Sequence, residues 1–167
     1  SKGYGTCNKN DSDTTEITPD TRFEIGSISK QITASTVMQL VEKGLLSVDD
    51  KLSKFFPDYV YGNEITIKNL LTMRSGTENF YLTKEITDTL INSVNKNKIL
   101  DIDFWIDELN KRPLASKPGQ KYNYDNLNYY LLAKIVEQVT GIPHDEYIQK
   151  NIFDVLNKKQ TFLQLQN

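Results

Sequence analysis

The sequence predicts a mostly helical chain with little strand, and three observations lead to that prediction. Apolar side chains recur at helical spacing in two long runs, over residues 27–43 and 126–140. Shorter runs bounded by Pro, Gly or a capping residue have the lengths of short helices. Alternation of apolar and polar residues, which is typical of strands, is confined to short stretches such as residues 23–26. No internal repeat at a solenoid period is present.

Composition limits the kinds of function that the chain can carry. Its 167 residues are 38% hydrophobic and 25% charged, which predicts one globular domain with a real core. A net charge of −2 gives no sign of nucleic-acid binding. No apolar run reaches the ~18 residues that a membrane helix needs. With a single cysteine and a single histidine, an internal disulfide or a Cys/His zinc cluster is excluded, and little remains for a Ser-His-Asp triad.

The first long run opens on a serine and a lysine three residues apart, Ser27 and Lys30. On a helix such residues share a face, so the lysine ammonium can reach the hydroxyl. A serine nucleophile needs a neighbouring base, and the free N–H groups at a helix start favour a developing oxyanion. The alternative interpretation of Ser27 is a simple helix N-cap. The same spacing recurs at Ser93 and Lys96 in a polar run, where we interpret it as solvated surface.

The elements between the two long runs are short. Residues 2–7 resemble a strand end, and residues 51–56 a short helix that ends at Pro57. Thr66 is placed to cap a helix over residues 68–73. Helices are also predicted over residues 84–95, with Ile86, Leu90 and Val94 on one face, and over 101–109, with Ile102, Trp105, Ile106 and Leu109 inward.

The second long helix is predicted over residues 126–140 and ends at Gly141. A further helix is predicted over 145–153, with the lone histidine, His144, at the surface before it. Tyr124 and Asn126 lie two residues apart where the loop enters the second long helix. A tyrosine near cations can relay a proton, and an asparagine amide can hold a substrate amide. The alternative for Asn126 is a helix cap.

Taken together, these segments resemble the serine penicillin-recognising family: class C-type β-lactamases, DD-peptidases and related esterases. Residues 21–31 are similar to that family's nucleophile motif, and residues 41–52 to its continuation. Residues 65–76 are similar to the next helix and turn, and residues 118–126 to the Tyr-x-Asn segment, with Asp125 where serine is usual. The resemblance implies an α+β, β-lactamase/transpeptidase-like fold class, of which this chain is the mostly α part.

The resemblance also implies roles for individual residues. Ser27 would be the acylated nucleophile, with its N–H in the oxyanion hole, and Lys30 the base or proton relay. Tyr124 would be a second proton shuttle and Asn126 a substrate-amide contact. Which group takes the serine proton is left open. The implied function is a serine hydrolase acting through an acyl-serine intermediate on a β-lactam, a D-Ala peptide or a small ester.

The family's third motif, Lys/His-Ser/Thr-Gly, has no convincing counterpart in this sequence. Residues 74–76 fit its letters loosely but belong to the earlier helix and turn, and residues 139–141 lack the cation. We therefore expect residues 1–167 to be a single, partial β-lactamase-like domain that lacks the C-terminal sheet region and the N-terminal strand. Without that sheet, Ile28, Ile32 and Val37 are expected to lie open and to favour self-association.

Two other readings of the sequence stay open. One is a penicillin-binding sensor or a helical binding module whose motifs are idle, and the other is a purely structural helical domain. We expect no metal, cofactor or nucleic acid, because the sequence contains no phosphate loop, dinucleotide fingerprint or calcium loop. The expected partner is a small-molecule or peptidoglycan-type substrate. The resemblance further implies a location outside the cytoplasm, at the cell envelope.

Overall fold

Helices account for most of the regular structure in the computed structural model, which describes residues 2–7, 15–80, 83–96, 100–158 and 160–162. The α-helices in these ranges are α1 (Ser29–Glu42), α2 (Ile67–Leu71), α3 (Lys84–Asn95), α4 (Ile102–Asn110), α5 (Asn126–Thr140) and α6 (His144–Ile148). A 3₁₀ turn, Gly26–Ile28, leads into α1, and another spans Leu52–Lys54. A π-helical turn, Gln149–Phe153, follows α6. The mostly helical prediction is confirmed.

Strand pairing within the described ranges is limited to two isolated antiparallel bridges. One joins Thr6, in the segment predicted as a strand end, to Glu16, and the other joins Lys51 to Thr66. The second bridge is extended by the Leu52 N–H, which donates to the Ile65 carbonyl at 3.0 Å. It therefore ties the start of the 51–56 segment to the start of α2.

The predicted helices hold where the local signals are strong. The helices at 84–95 and 126–140 have the predicted bounds, and Gly141 ends α5 in the left-handed conformation with φ 68°. Thr66 caps α2 as predicted, since its hydroxyl accepts from the Asn69 N–H and the Asn69 side chain accepts from the Thr66 N–H in return. The predicted helix at 51–56 is reduced to a 3₁₀ turn, and α2 ends at Leu71 rather than at residue 73.

The core is organised around α5, which packs against both α1 and α2, while α6 closes over α1 and α5. Helix α4 joins this core through aromatic contacts, because the ring centre of Trp105 lies 6.1 Å from that of Tyr130 in α5 and 6.5 Å from that of Phe80. The largest fully buried side chains are Val37, Leu40, Leu52, Ile65, Ile67, Leu70, Ile86, Leu131, Leu132, Ile135, Val136 and Ile148.

Three placements differ from the predictions. Val37 is fully buried rather than open, because it belongs to the hydrophobic core that also contains Leu131 and Ile135 of α5. Val94 is 64% exposed, and the buried position on the last turns of α3 is Ser93 instead. His144 is half-buried rather than on the surface: its Nε2 lies 3.3 Å from the Thr33 hydroxyl, and burial lowers the pKa of the imidazole.

The two long helices begin at the same end of the molecule. Lys30, in the first turn of α1, contacts Asn126, the first residue of α5. Two helix N-termini, each with free N–H groups and a positive dipole end, therefore lie close together. No helix in the described residues is long and apolar enough to cross a membrane.

Candidate active site

Ser27 lies in the 3₁₀ turn that precedes α1. Gly26 has a φ of +49°, a conformation that L side chains rarely adopt, and it turns the chain so that the Ser27 hydroxyl is exposed. The N-cap position of α1 is Ile28, and no side chain caps that helix. The alternative interpretation of Ser27 as an N-cap is therefore wrong, and its hydroxyl is available for other contacts.

The four residues singled out in the sequence are brought into one cluster. The Ser27 hydroxyl shares a hydrogen bond of 2.7 Å with the Tyr124 hydroxyl. The Lys30 ammonium donates to Ser27 Oγ at 3.1 Å and to Asn126 Oδ1 at 2.7 Å. Its Nζ also lies 5.0 Å from the centre of the Tyr124 ring, within range of a cation–π interaction. Each side chain thus contacts at least one of the other three.

Asn126 is free to hold Lys30 because its neighbour caps the helix. The N-cap of α5 is Asp125, whose Oδ1 accepts from the Leu127 N–H at 2.9 Å. The alternative interpretation of Asn126 as a helix cap is therefore wrong. Its amide oxygen is directed to the lysine instead, and its backbone occupies the first helical position.

A loop after α2, residues 73–79, holds the segment that carries Tyr124. The Asn123 N–H donates to the Met73 carbonyl at 2.9 Å, and the Asn123 side-chain amide donates to the Thr77 carbonyl at 2.9 Å. The Asn79 amide donates to the Tyr124 carbonyl at 2.9 Å. These hydrogen bonds fix the backbone of Asn123 and Tyr124 against residues 73–79. We name residues 73–79 the clamp loop.

The charge of Lys30 alters the chemistry of Tyr124. Hydrogen bonding from the Lys30 side chain, followed by that with Ser27, lowers the pKa of the Tyr124 phenol, because a nearby cation favours the phenolate. A tyrosine in the core shows the opposite effect: burial raises the pKa of the Tyr59 phenol. The contrast places the more acidic phenol beside the serine hydroxyl.

Sequence reasoning missed one residue of the cluster, Tyr129. Its ring centre lies 6.0 Å from Lys30 Nζ. Tyr129 follows Asn126 by three residues and therefore lies on the same face of α5. The Tyr129 hydroxyl donates to the Leu71 carbonyl at 3.1 Å, which fixes the ring against the end of α2. The spacing from Asn126 could have revealed this residue, although an aromatic residue on an apolar helix face is first interpreted as core.

The second serine–lysine pair is not assembled. The Ser93 hydroxyl is buried and donates to the Leu90 carbonyl of its own helix at 2.8 Å. Lys96 follows the last residue of α3 and is exposed. The interpretation of Ser93 as solvated surface was therefore wrong in detail. In the described part of the chain, no group of three or more His, Cys, Asp or Glu side chains is placed to hold a metal ion.

Comparison with known proteins identifies the family of this chain. The family model described as Beta-lactamase matches residues 1–167. Protein PbpX of Bacillus subtilis (strain 168) is 33% identical over 135 residues, which cover 81% of this chain and 31% of PbpX. The chain therefore spans about a third of the length of that relative.

Solved structures show the same fold. The octameric penicillin-binding protein homologue from Pyrococcus abyssi superposes with a TM-score of 0.71 at 33% identity, over 87% of this chain and 34% of the other. A class C beta-lactamase gives a TM-score of 0.74 at 21% identity, over 91% of this chain and 39% of the other, and supports the fold alone. The β-lactamase/transpeptidase-like fold class is thus confirmed, and the chain belongs to the β-lactamase family.

Proposed function

We propose that this chain carries the acylation centre of a serine hydrolase that acts on a β-lactam, a D-Ala peptide or a small ester. The observation that carries the proposal is the contact of one serine hydroxyl with two proton-handling groups. Lys30 Nζ lies 3.1 Å and the Tyr124 hydroxyl 2.7 Å from Ser27 Oγ. A weak nucleophile next to a base is the arrangement that covalent catalysis requires.

In the proposed reaction, Ser27 Oγ attacks the carbonyl carbon of the substrate and forms an ester. The hydroxyl proton passes into the Lys30–Tyr124 pair, and the same pair returns a proton to the leaving amine or alcohol as the C–N or C–O bond breaks. The lowered pKa of Tyr124 supports its role as a proton carrier. Water then cleaves the acyl-serine ester and regenerates the hydroxyl.

The surroundings supply the groups that stabilise charge and orient substrate. The exposed turn at Gly26 leaves room for a carbonyl to approach the start of α1, where free N–H groups favour an oxyanion. Asn126 accepts from Lys30 through Oδ1, so its Nδ2 is the atom that we assign to a substrate amide carbonyl. The substrate would thus lie across the starts of both long helices.

The second candidate function is a penicillin-binding sensor, which would be acylated by the same route but keep its acyl group. The deciding experiment is incubation of the chain with a fluorescent penicillin, followed by intact-mass analysis and then by removal of free penicillin. We expect one adduct per chain, absent in Ser27→Ala. An adduct that clears with time supports the hydrolase, and one that persists supports the sensor. A folded chain that forms no adduct contradicts the acylation centre itself.

We further propose self-association through an exposed apolar segment beside the site. Phe23, Ile25 and Ile28 are 64%, 44% and 56% exposed, and their burial against a second copy would be favourable. Phe23→Ser with Ile28→Ser should then shift a dimer to a monomer in sedimentation velocity. A wild-type chain that sediments as a monomer at the highest attainable concentration would rule this out. We also propose that the protein lies at the cell envelope, which cell fractionation can test.

A further inference from the structure

An aspartate, Asp125, lies between the site residues Tyr124 and Asn126 where the chain enters α5, and its surroundings are unusual for an acid. Asp125 is only 1% exposed. Its carboxylate accepts from the Leu127 N–H through Oδ1 at 2.9 Å and from the Thr77 hydroxyl through Oδ2 at 3.0 Å. No ion pair joins it to a cation in the ranges that the structure describes. A buried acid without a cation is costly, so a specific structural task is expected of it.

The backbone of Asp125 shows what that task is. Its φ of −144° and ψ of 121° are extended, and in extended backbone successive side chains point to opposite sides. Asp125 points inward to the clamp loop, so Tyr124 and Asn126 both point outward. These are the two side chains that contact Ser27 and Lys30. The two-residue spacing of the Tyr-x-Asn pair is therefore useful only while the middle residue is held inward.

Asp125 is held by two different parts of the fold. One carboxylate oxygen caps α5, and the other accepts from Thr77 of the clamp loop, whose hydroxyl in turn lies 2.8 Å from that of Ser75. Both hydroxyl-bearing residues are buried, at 2% exposure for Ser75 and 4% for Thr77. The Thr77 carbonyl of the same loop accepts a hydrogen bond from the Asn123 side-chain amide. The clamp loop thus fixes the segment on both sides of Tyr124.

We infer that Asp125, through Thr77, is a positioning residue that sets Tyr124 and Asn126 against Ser27 and Lys30. It touches no substrate and acts only by orienting its two neighbours. The inference rests on the proposed function for its catalytic consequence, but the placement of Tyr124 can be measured independently of any reaction.

The direct test is titration of Tyr124 by NMR with ¹³Cζ-labelled tyrosine, the signal being assigned by its loss in Tyr124→Phe. In the wild type the phenol should titrate below the ordinary value of about 10 for tyrosine. In Asp125→Ala and Thr77→Val it should move up towards that value, since the contacts with Lys30 and Ser27 are loosened. Asp125→Asn should keep the wild-type titration, because an amide can cap α5 and donate to the Thr77 oxygen.

A matched control separates positioning from simple loss of a helix cap. Asp101 caps α4 as Asp125 caps α5, since its Oδ1 accepts from the Phe104 N–H at 3.0 Å, and it lies outside the site. Asp101→Ala should leave the Tyr124 titration unchanged. The rate of Ser27 acylation should follow the titration, with a fall of roughly ten-fold to a hundred-fold in Asp125→Ala, because small misplacements of reacting groups are this costly.

Every outcome decides one of the two proposals. If folded Asp125→Ala and Thr77→Val both titrate as the wild type does, the positioning role is overturned. Should Asp125→Ala fail to fold, Thr77→Val decides alone, because it removes one hydroxyl with little change of shape. A wild-type Tyr124 with an ordinary pKa would also overturn the inference. If the titrations respond as expected but penicillin never acylates Ser27, the proposed function fails and the positioning role stands.

Discussion

The chain contains the serine–lysine spacing twice, and only one copy becomes a cluster. Ser27 stands in a turn before its helix, with its hydroxyl exposed and in contact with Lys30 and Tyr124. Ser93 lies near the end of α3, where its hydroxyl is used by the Leu90 carbonyl and its lysine falls beyond the helix. Spacing is the same in both pairs, so spacing does not create the site.

The two pairs differ in where the serine lies relative to its helix and in whether a distant segment contacts it. A serine before a helix start has no carbonyl of a preceding turn to satisfy its hydroxyl, whereas one inside a helix does. The first pair also contacts residues 124–126, and Tyr124 is 97 residues away from Ser27 in the sequence. The clamp loop holds residues 124–126 in place. The second segment, and not the spacing, therefore gathers the first pair into a cluster.

Exchange of each lysine for methionine should give the largest contrast between the two pairs. Lys30→Met removes the group that we propose as proton carrier beside Ser27 and should slow acylation by roughly 10²–10⁴-fold, the usual contribution of a general acid or base. Lys96→Met should leave the rate unchanged, since Lys96 is exposed after the end of α3. Stopped-flow labelling with a fluorescent penicillin measures both rates, and equal rates would show that the two pairs do not differ.

Truncation on α3 should show which of its faces is buried. Ile86 is 1% exposed, and Ile86→Ala should lower the free energy of unfolding by about 2–5 kcal/mol through lost packing and a residual cavity. Val94 is 64% exposed, and Val94→Ala should change it by less than about 0.5 kcal/mol. Urea unfolding compares the two variants. A large loss at Val94 would mean that α3 is rotated and that Ser93 faces solvent.

The pH dependence of stability should report the buried acid behind the first pair. Burial raises the pKa of the Asp125 carboxyl above its ordinary value of 3.8. The folded state therefore favours the protonated acid. That contribution is fully present below the ordinary value and is lost as the pH rises through the higher folded value.

Asp125→Asn lacks this dependence, so its stability relative to the wild type should rise as the pH increases from about 4 to 8. Urea unfolding at several pH values gives the difference. A difference that stays constant with pH would show that Asp125 is not titrating under the influence of burial.

The smallest expected effect is on the titration of Tyr124 itself. The folded pKa of its phenol is lowered, first by hydrogen bonding from Lys30 and then by that with Ser27. The phenolate therefore adds stability that is fully present above the ordinary pKa of tyrosine and is lost as the pH falls through the lower folded value. Lys30→Met should raise the Tyr124 pKa more than Ser27→Ala does, as ultraviolet difference titration against Tyr124→Phe can measure. The reverse order would make Ser27 the main partner.

Local signals predicted much of the fold. Helix α5 has the predicted bounds because its apolar periodicity ends at Gly141, and α2 is capped as predicted because Thr66 and Asn69 satisfy each other within four residues. The same periodicity could not choose between Ser93 and Val94, which are neighbours about 100° apart on the helix. That choice is made by packing against other elements.

Four members of the site were predictable from the sequence, but Tyr129 and the assembly of the cluster were not. The Tyr-x-Asn spacing indicated Tyr124 and Asn126, but a helix cap can be supplied by either of two adjacent polar residues. Only the structure shows that Asp125 takes that role and releases Asn126 to Lys30. No sequence pattern pointed to Thr77 and Asn79, because they contact Asp125 and Tyr124 from a loop that is distant in the sequence.

The most direct test of the central claim, that the distant segment makes Ser27 and not Ser93 reactive, is a peptide map after limited labelling with a serine-directed phosphonate. This probe needs no particular substrate and reads every serine in the chain at once. We expect a stoichiometric adduct on Ser27 that is lost in Ser27→Ala and slowed in Asp125→Ala. An adduct on Ser93 or Ser75, or equal labelling across the exposed serines, would contradict it.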